Sequence, residues 1–218
     1  MCTNVAKSRQ SPDSHLEAQL YRHGIRLVAG LDEAGRGAWA GPVMAAAVVL
    51  PYPNAALQAQ LQGLQDSKQL TALGRARWDQ IIRAIALSVS EGQASVEEID
   101  RLGILPATRL AMQRAVHGLE TGAEYLLIDY ILIGDVGINQ TAIPRGDART
   151  LSIAAASVIA KVARDRLMIN LDRQYPSFGF AQHKGYGTRQ HQEALNRWGP
   201  SKVHRRSFKP IRRVLGEA

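Results

Sequence analysis

The chain has 218 residues, with 27 Lys and Arg against 19 Asp and Glu and a formal net charge of +8. That length supports one good core, and a basic balance suits a polyanion partner through electrostatic steering and counterion release. Cys2 is the single cysteine, which excludes an intrachain disulfide and a thiolate metal cluster and fits a reducing cytosol, and the longest apolar run, Val43 to Leu50, is too short to span a bilayer.

Residues 1–24 are polar and mixed, read as a tail or a short helix, and lack the apolar core of a secretory signal. Leu27 to Asp32 and Val43 to Leu50 are apolar runs joined by the glycine-rich loop Ala34 to Pro42, which predicts an antiparallel hairpin. Pro51 and Pro53 end the second strand. Trp78, Ile81, Ile82 and Ile85 fall at i, i+3, i+4 and i+7, the core face of a helix. Leu87 to Gln93 predicts a third strand, and Ser95-Val96-Glu97-Glu98 a capping box opening a short helix. Met112, Ala115, Val116 and Leu119 form another core stripe.

Tyr125 to Asp129 reads as a buried strand ending in an acid, and Thr141 to Pro144 as a further strand. A long helix is expected from about Leu151 to Arg173. Ser157, Lys161 and Asp165 share one row of it, and Ile159, Ala163 and Leu167 a different row that faces the core. The remainder is helical and basic, cut by Pro176, Pro200 and Pro210. Strands first, then helices alternating with strands, fit an α/β domain with a mixed sheet. Residues 25–218 are read as that domain, with a C-terminal helical part from about 176.

Asp32 and Glu33 stand together at the end of the first strand, directly before Gly35, Arg36, Gly37 and Gly41. Two acids can hold a hard divalent cation through oxygen. Glycines let backbone N–H groups approach a phosphate or sugar, and an arginine can fork onto a phosphate. The competing reading is a solvated acid pair beside a tight hairpin. A dinucleotide site fits worse, because Gly41 is one residue late for the G-x-G-x-x-G spacing. Adjacent strand residues point to opposite faces, so Asp32 and Glu33 converge only if the chain bends at the loop.

Leu31-Asp32-Glu33-Ala34-Gly35-Arg36-Gly37 followed by Gly41-Pro42 resembles the opening signature of type 2 ribonuclease H, the bacterial ribonuclease HII family. Further likenesses run in family order: Asp66-Ser67-Lys68-Gln69-Leu70, the helix around Ala111 to Val116, Leu127-Ile128-Asp129, Gly146-Asp147, Ser152 to Asp165, His183 to Thr188, and His204 to Phe208. The resemblance covers roughly Leu27 to Leu215. One departure is Tyr130, where the family has glycine after its third acid; it leaves Asp135 as a rival to Asp129.

The resemblance implies a ribonuclease H-like mixed β-sheet flanked by helices, with a small C-terminal helical segment beside the site. It implies that Asp32, Glu33, Asp129 and Asp147 are catalytic, metal-binding acids. Four gathered carboxylates repel, and divalent cations remove that problem. Two ions can activate a water and stabilise the leaving oxygen of an in-line displacement. Oxygen ligands suit Mg²⁺ or Mn²⁺ over Zn²⁺.

The implied substrates are RNA–DNA hybrids and duplex DNA carrying single ribonucleotides, cut on the 5′ side to give 3′-hydroxyl and 5′-phosphate ends. Gly35, Arg36, Gly37 and Tyr186 match the family residues that sense the 2′-hydroxyl, the group that distinguishes RNA from DNA. Lys68, Ser157, Lys161, Lys184, Arg205 and Arg206 are the remaining substrate contacts expected; for Lys161 an ion pair with Asp165 is the alternative. No histidine has metal-ligand spacing. No family peptide for docking on a DNA clamp is evident at Arg212 to Ala218. A cytoplasmic monomer is expected. A non-catalytic basic nucleic-acid binder and a DNA-only nuclease are the competing classes.

Overall fold

The computed structural model describes residues 11–54, 56–64, 67, 70–134 and 136–217. Lys68 and Asp135 lie outside the described residues. In chain order the elements are α1 (His15–Arg22), β1 (Val28–Ala34), β2 (Val43–Val49), α2 (Leu57–Gln60), α3 (Ala72–Ile85), β3 (Ser88–Ala94), α4 (Val96–Leu102), α5 (Ile104–His117), β4 (Tyr125–Asp129), β5 (Asn139–Ile143), a 3₁₀ turn (Gly146–Ala148), α6 (Leu151–Gln174), α7 (Phe180–His183), α8 (Arg189–Trp198) and α9 (Lys209–Leu215).

The five strands form one mixed sheet in the order β3-β2-β1-β4-β5. The β1–β2 and β2–β3 pairs are antiparallel, while β1–β4 and β4–β5 are parallel. This is the ribonuclease H-like α/β architecture expected. β1 is the central strand, so its end is flanked by β2 and β4 together.

Alternation along β2 explains why all of it is buried. Val43, Ala45, Ala47 and Val49 face one layer with α5, and Ala46 and Val48 face the other with α3 and α6. Small residues let both helices sit close. A Cβ on Gly30 would lie 2.1 Å from the Ser152 carbonyl carbon, and one on Gly92 would lie 2.1 Å from the Ala111 oxygen. The first ten residues of α6 are buried all round, which matches its Ala-rich, unpatterned sequence. The stripes at Trp78 to Ile85 and at Met112 to Leu119 pack into these two layers.

Local signals set several boundaries. Thr71 caps α3 by accepting the Gly74 N–H at 3.1 Å. The capping box of α4 is complete: Ser95 Oγ accepts the Glu98 N–H at 3.2 Å, and Glu98 Oε2 accepts the Ser95 N–H at 2.9 Å.

Residues 13–17 clamp the start of α6. The Leu151 N–H donates to the Asp13 carbonyl at 2.9 Å, and buried Glu17 accepts the Ser152 N–H at 3.0 Å. A carboxylate at a helix N-terminus satisfies an orphan donor and opposes the dipole. This role for the polar N-terminal stretch has no signature in the sequence. A third cluster, built on Met168, Phe178, Phe180, Leu195 and Ile211, joins the second half of α6 to α7, α8 and α9.

Candidate active site

Three elements deliver three carboxylates to one point. Asp32 lies on β1, Asp129 ends the neighbouring β4, and Asp147 sits in the 3₁₀ turn before α6. One oxygen from each lies within 4.8 Å of the others. Backbone geometry fixes two of them. Asp32 Oδ1 accepts the Glu33 N–H at 2.7 Å, and Asp129 Oδ1 accepts the Gly146 N–H at 2.6 Å. The second bond ties the end of β4 to the turn that carries Asp147.

Burial raises the Asp32 pKa well above the usual carboxylate range, and the charges of Glu33 and Asp129 push the same way. Hydrogen bonds from Ser157 and from the Glu33 backbone oppose the rise without cancelling it. Ser157 is buried on α6, with its Oγ 2.8 Å from that of Ser67.

Glu33 does not join the three-acid group. β1 stays regular through Ala34, with Asp32 paired to Ala46 and Glu33 to Ala45, so the two side chains obey strand alternation. The turn at Gly35, φ +96°, comes only after both acids. Glu33 Oε1 instead accepts from Arg36 Nη1 at 3.0 Å, and its Oε2 is buried without a hydrogen-bond partner among the described residues. Both acids nevertheless line one cavity of about 260 Å³, together with Gly35, Arg36, Gly37, Ser67, Asp129, Ser157, Lys161 and Tyr186. Hard oxygen donors, mutual repulsion and an orphaned buried carboxylate oxygen fit a divalent cation.

The glycine loop is held from behind by two arginines. Arg164 of α6 is fully buried and donates to the carbonyls of Pro42 at 3.2 Å, Ala40 at 3.1 Å and Lys184 at 2.9 Å. Gly35 has φ +96°, and a Cβ there would lie 1.9 Å from Arg164 Nε. Glycine is therefore required both for conformation and for room. The row expected to face the core, Ile159, Ala163 and Leu167, omits this arginine. A charged residue on an apolar helix carries no visible sign that distant carbonyls will satisfy it.

Arg205 is also 0% exposed, which corrects its expected role as a phosphate contact. Its Nε donates to the Gly41 carbonyl and its Nη1 to the Arg36 carbonyl, each at 2.9 Å. Burial and the like charge of Arg164 pull its pKa down to about 9.

Lys161 forms an ion pair with Asp165 at 2.6 Å and still lines the cavity, its Nζ 5.9 Å from the Tyr186 ring. Lys184 and Tyr186 occupy the turn after α7; Tyr186 is 38% exposed, and the Lys184 ammonium donates to the Ala181 carbonyl. Arg206 is exposed, and its backbone N–H is fixed by Asp100 at 2.9 Å. A second cavity of about 540 Å³ adjoins the first and is lined by Arg75, Lys161, Arg166, Lys184 and Tyr186 among others.

Three buried histidines, His183, His191 and His204, contact one another and backbone. His191 Nδ1 donates to the Tyr186 carbonyl at 3.0 Å, which leaves His191 Nε2 to accept from His204 Nε2 at 3.0 Å. His204 Nδ1 then accepts from the Ser201 N–H at 2.9 Å. His183 Nδ1 accepts the Gly185 N–H at 3.2 Å. Burial pulls His191 and His204 each down to about 4.

The family model for ribonuclease HII matches residues 29–211. The chain belongs to the ribonuclease HII family. It is 50% identical to ribonuclease HII of Chloroflexus aggregans over 205 residues, covering 94% of this chain and 97% of that one. It is 51% identical to the Chloroflexus aurantiacus protein over 204 residues, covering 94% and 96%. Among solved structures, ribonuclease H2 of Pyrococcus horikoshii OT3 superposes with a TM-score of 0.70 at 26% identity, over 86% of this chain and 96% of that one. Bst-RNase HIII in complex with Mn²⁺ gives 0.72 at 21% identity over 87% and 69%, a likeness of fold. The family's enzymes are metal-dependent ribonuclease H hydrolases that cleave RNA in RNA–DNA hybrids, and this chain is one of them. Among the described residues, no helix is long and apolar enough to cross a membrane.

Proposed function

We propose that the protein cuts the RNA strand of RNA–DNA hybrids and incises duplex DNA on the 5′ side of a single embedded ribonucleotide, leaving 3′-hydroxyl and 5′-phosphate ends. The observation that carries this reading is a cavity in which Asp32 and Asp129, two of the three convergent carboxylates, meet a glycine loop and an aromatic ring. Asp32, Asp129 and Asp147 would hold Mg²⁺ or Mn²⁺, with Glu33 joining them by turning away from Arg36. When bound, the ions supply Lewis-acid activation for an in-line phosphoryl displacement.

The chain's own residues do the rest. Ser157 and the Gly146 N–H orient Asp32 and Asp129. The backbone of Gly35, Arg36 and Gly37 offers hydrogen-bonding groups to a 2′-hydroxyl, and Tyr186 packs on the neighbouring sugar. Lys161, Lys184 and Arg206 neutralise phosphates, and Lys68 is proposed with them from the sequence alone. We place the enzyme in the cytoplasm as a monomer.

A DNA duplex with one internal ribonucleotide tests this. Mg²⁺-dependent cleavage on its 5′ side with those ends is expected. Equal cleavage of the all-deoxy duplex would make the enzyme a general DNA nuclease, and a 2′,3′-cyclic end would remove water as the nucleophile.

A further inference from the structure

Tyr130 sits where its backbone is least comfortable. β4 ends at Asp129, and Tyr130 follows with φ +67°. A bulky side chain in the left-handed region is strained, since its Cβ crowds the backbone. The conformation is imposed from both sides. The Tyr130 N–H donates to the Ile143 carbonyl at 3.2 Å, and the Ile131 N–H donates to the Asp129 carbonyl at 2.8 Å, closing a three-residue turn around Tyr130. Ile131 and Ile133 are buried in the main core, so the chain beyond the turn cannot relax.

This strain secures no packing. Tyr130 is 63% exposed, the most open tyrosine among the large exposed apolar side chains. Its hydroxyl has no hydrogen-bond partner among the described protein groups. Its neighbour is functional: the Arg36 guanidinium lies 6.0 Å from its ring centroid. Arg36 and Asp129, which precedes Tyr130, both line the acid cavity. The turn thus places an aromatic face and a guanidinium side by side on the rim.

We propose that Tyr130 is a substrate contact, its ring packing on a sugar face of the duplex next to the scissile phosphate while Arg36 meets the phosphate. The proposal rests on the nuclease reading above. An enzyme that senses a 2′-hydroxyl works from the minor groove, where sugars are exposed and bases remain stacked on each other. An aromatic ring on that wall contributes contact that is indifferent to base sequence. Backbone strain held in place at an active-site rim is where such a function belongs.

The test compares wild type with Tyr130→Gly and Tyr130→Phe. KM and kcat are measured on an RNA–DNA hybrid in Mg²⁺, and Kd on the same hybrid without metal. Glycine relieves the positive φ, so its Tm should rise by about 2–4 °C. Its KM and Kd should both weaken on the order of tenfold, with the loss falling on KM rather than kcat. Phenylalanine should rescue binding. Unchanged KM and Kd in the glycine variant would overturn the proposal, as would an equal loss in both variants. A lower Tm with a matching loss of kcat would assign Tyr130 to structure instead. The Kd ratio decides the matter even if wild type fails to cut a ribonucleotide duplex, a failure that would sink the incision reading alone.

Discussion

Two regions of this molecule bury charge, and they do so in opposite ways. At the end of β1, carboxylates of one sign are gathered: Asp32 and Asp147 are buried, and Asp129 is within reach of both. Behind the glycine loop, Arg164 and Arg205 are buried more deeply still, but five of their N–H groups land on backbone carbonyls, and Arg205 Nη2 alone of their nitrogens is left without a partner among the described residues. A buried charge whose hydrogen bonds are largely satisfied is a support for the fold. A buried cluster of like charges is unfavourable until an opposite charge enters. The first pattern marks where a cation acts, and the second marks what keeps the surrounding loops still.

Removing one acid should separate the two patterns most sharply. Asp32→Asn, or Asp129→Asn, should reduce cleavage of a hybrid to background in saturating Mg²⁺ while circular dichroism shows a folded protein. Near-normal turnover of either variant would remove that acid from the catalytic group.

The converse holds for the scaffold. Arg164→Ala leaves three carbonyls without their donor, and breaking a buried charged network typically costs about 3–5 kcal/mol. For a chain of this size the melting point should fall on the order of 10 °C, with activity lost in parallel. Lost activity at an unchanged melting point would mean that Arg164 touches substrate.

The histidine chain gives a smaller, pH-dependent effect. His191 and His204 are neutral in the fold, with pKa values of about 4 against an ordinary value near 6.5. Below pH 6.5 the unfolded chain takes up protons that the folded chain refuses. Stability from these groups is therefore present above pH 6.5 and declines toward pH 4, by up to about 1.4 kcal/mol per pH unit for each histidine. His191→Gln should flatten this part of a Tm-against-pH curve. An identical slope in that variant would put the acid sensitivity elsewhere.

The smallest expected change lies on the surface. Lys184→Ala should make the salt dependence of duplex binding shallower by about one unit in log Kd against log salt. An unchanged slope would mean that the Lys184 ammonium stays on the Ala181 carbonyl and never reaches a phosphate.

The same contrast explains what could be read from the sequence. Strand alternation, helix stripes and the Ser95 capping box are local, so their elements were legible within a residue or two. The position of Asp32, Asp129 and Asp147 followed from motif order, because Asp32 lies near the end of β1, Asp129 ends β4 and Asp147 precedes α6. The partners of Arg164 and Arg205 lie more than a hundred residues away, except for Lys184. Nothing local distinguishes such a cation from a surface one, and Arg205 was misread for that reason. Glu33 shows how far adjacency reaches, since it lines the same cavity as Asp32 but has a different partner. Its adjacency to Asp32 suggested a shared task, yet the unbroken pairing of β1 with β2 sends it toward Arg36. Strand alternation by itself would turn Tyr130 to the face opposite Asp129. The strand stops at Asp129, and the left-handed turn that follows explains why a glycine would be at ease there.

The central claim is that the acid cluster is destabilising by itself and stabilising around a cation. Thermal unfolding of wild type and Asp32→Asn, each with and without Mn²⁺, tests it most directly. Without metal, the variant should melt at the same temperature as wild type or above it, because one of several crowded acids is gone. With Mn²⁺, wild type should rise above the variant, since ligand binding to the folded state adds stability in proportion to affinity. A variant that melts well below wild type without metal, or equal Mn²⁺ shifts in both proteins, would contradict the account.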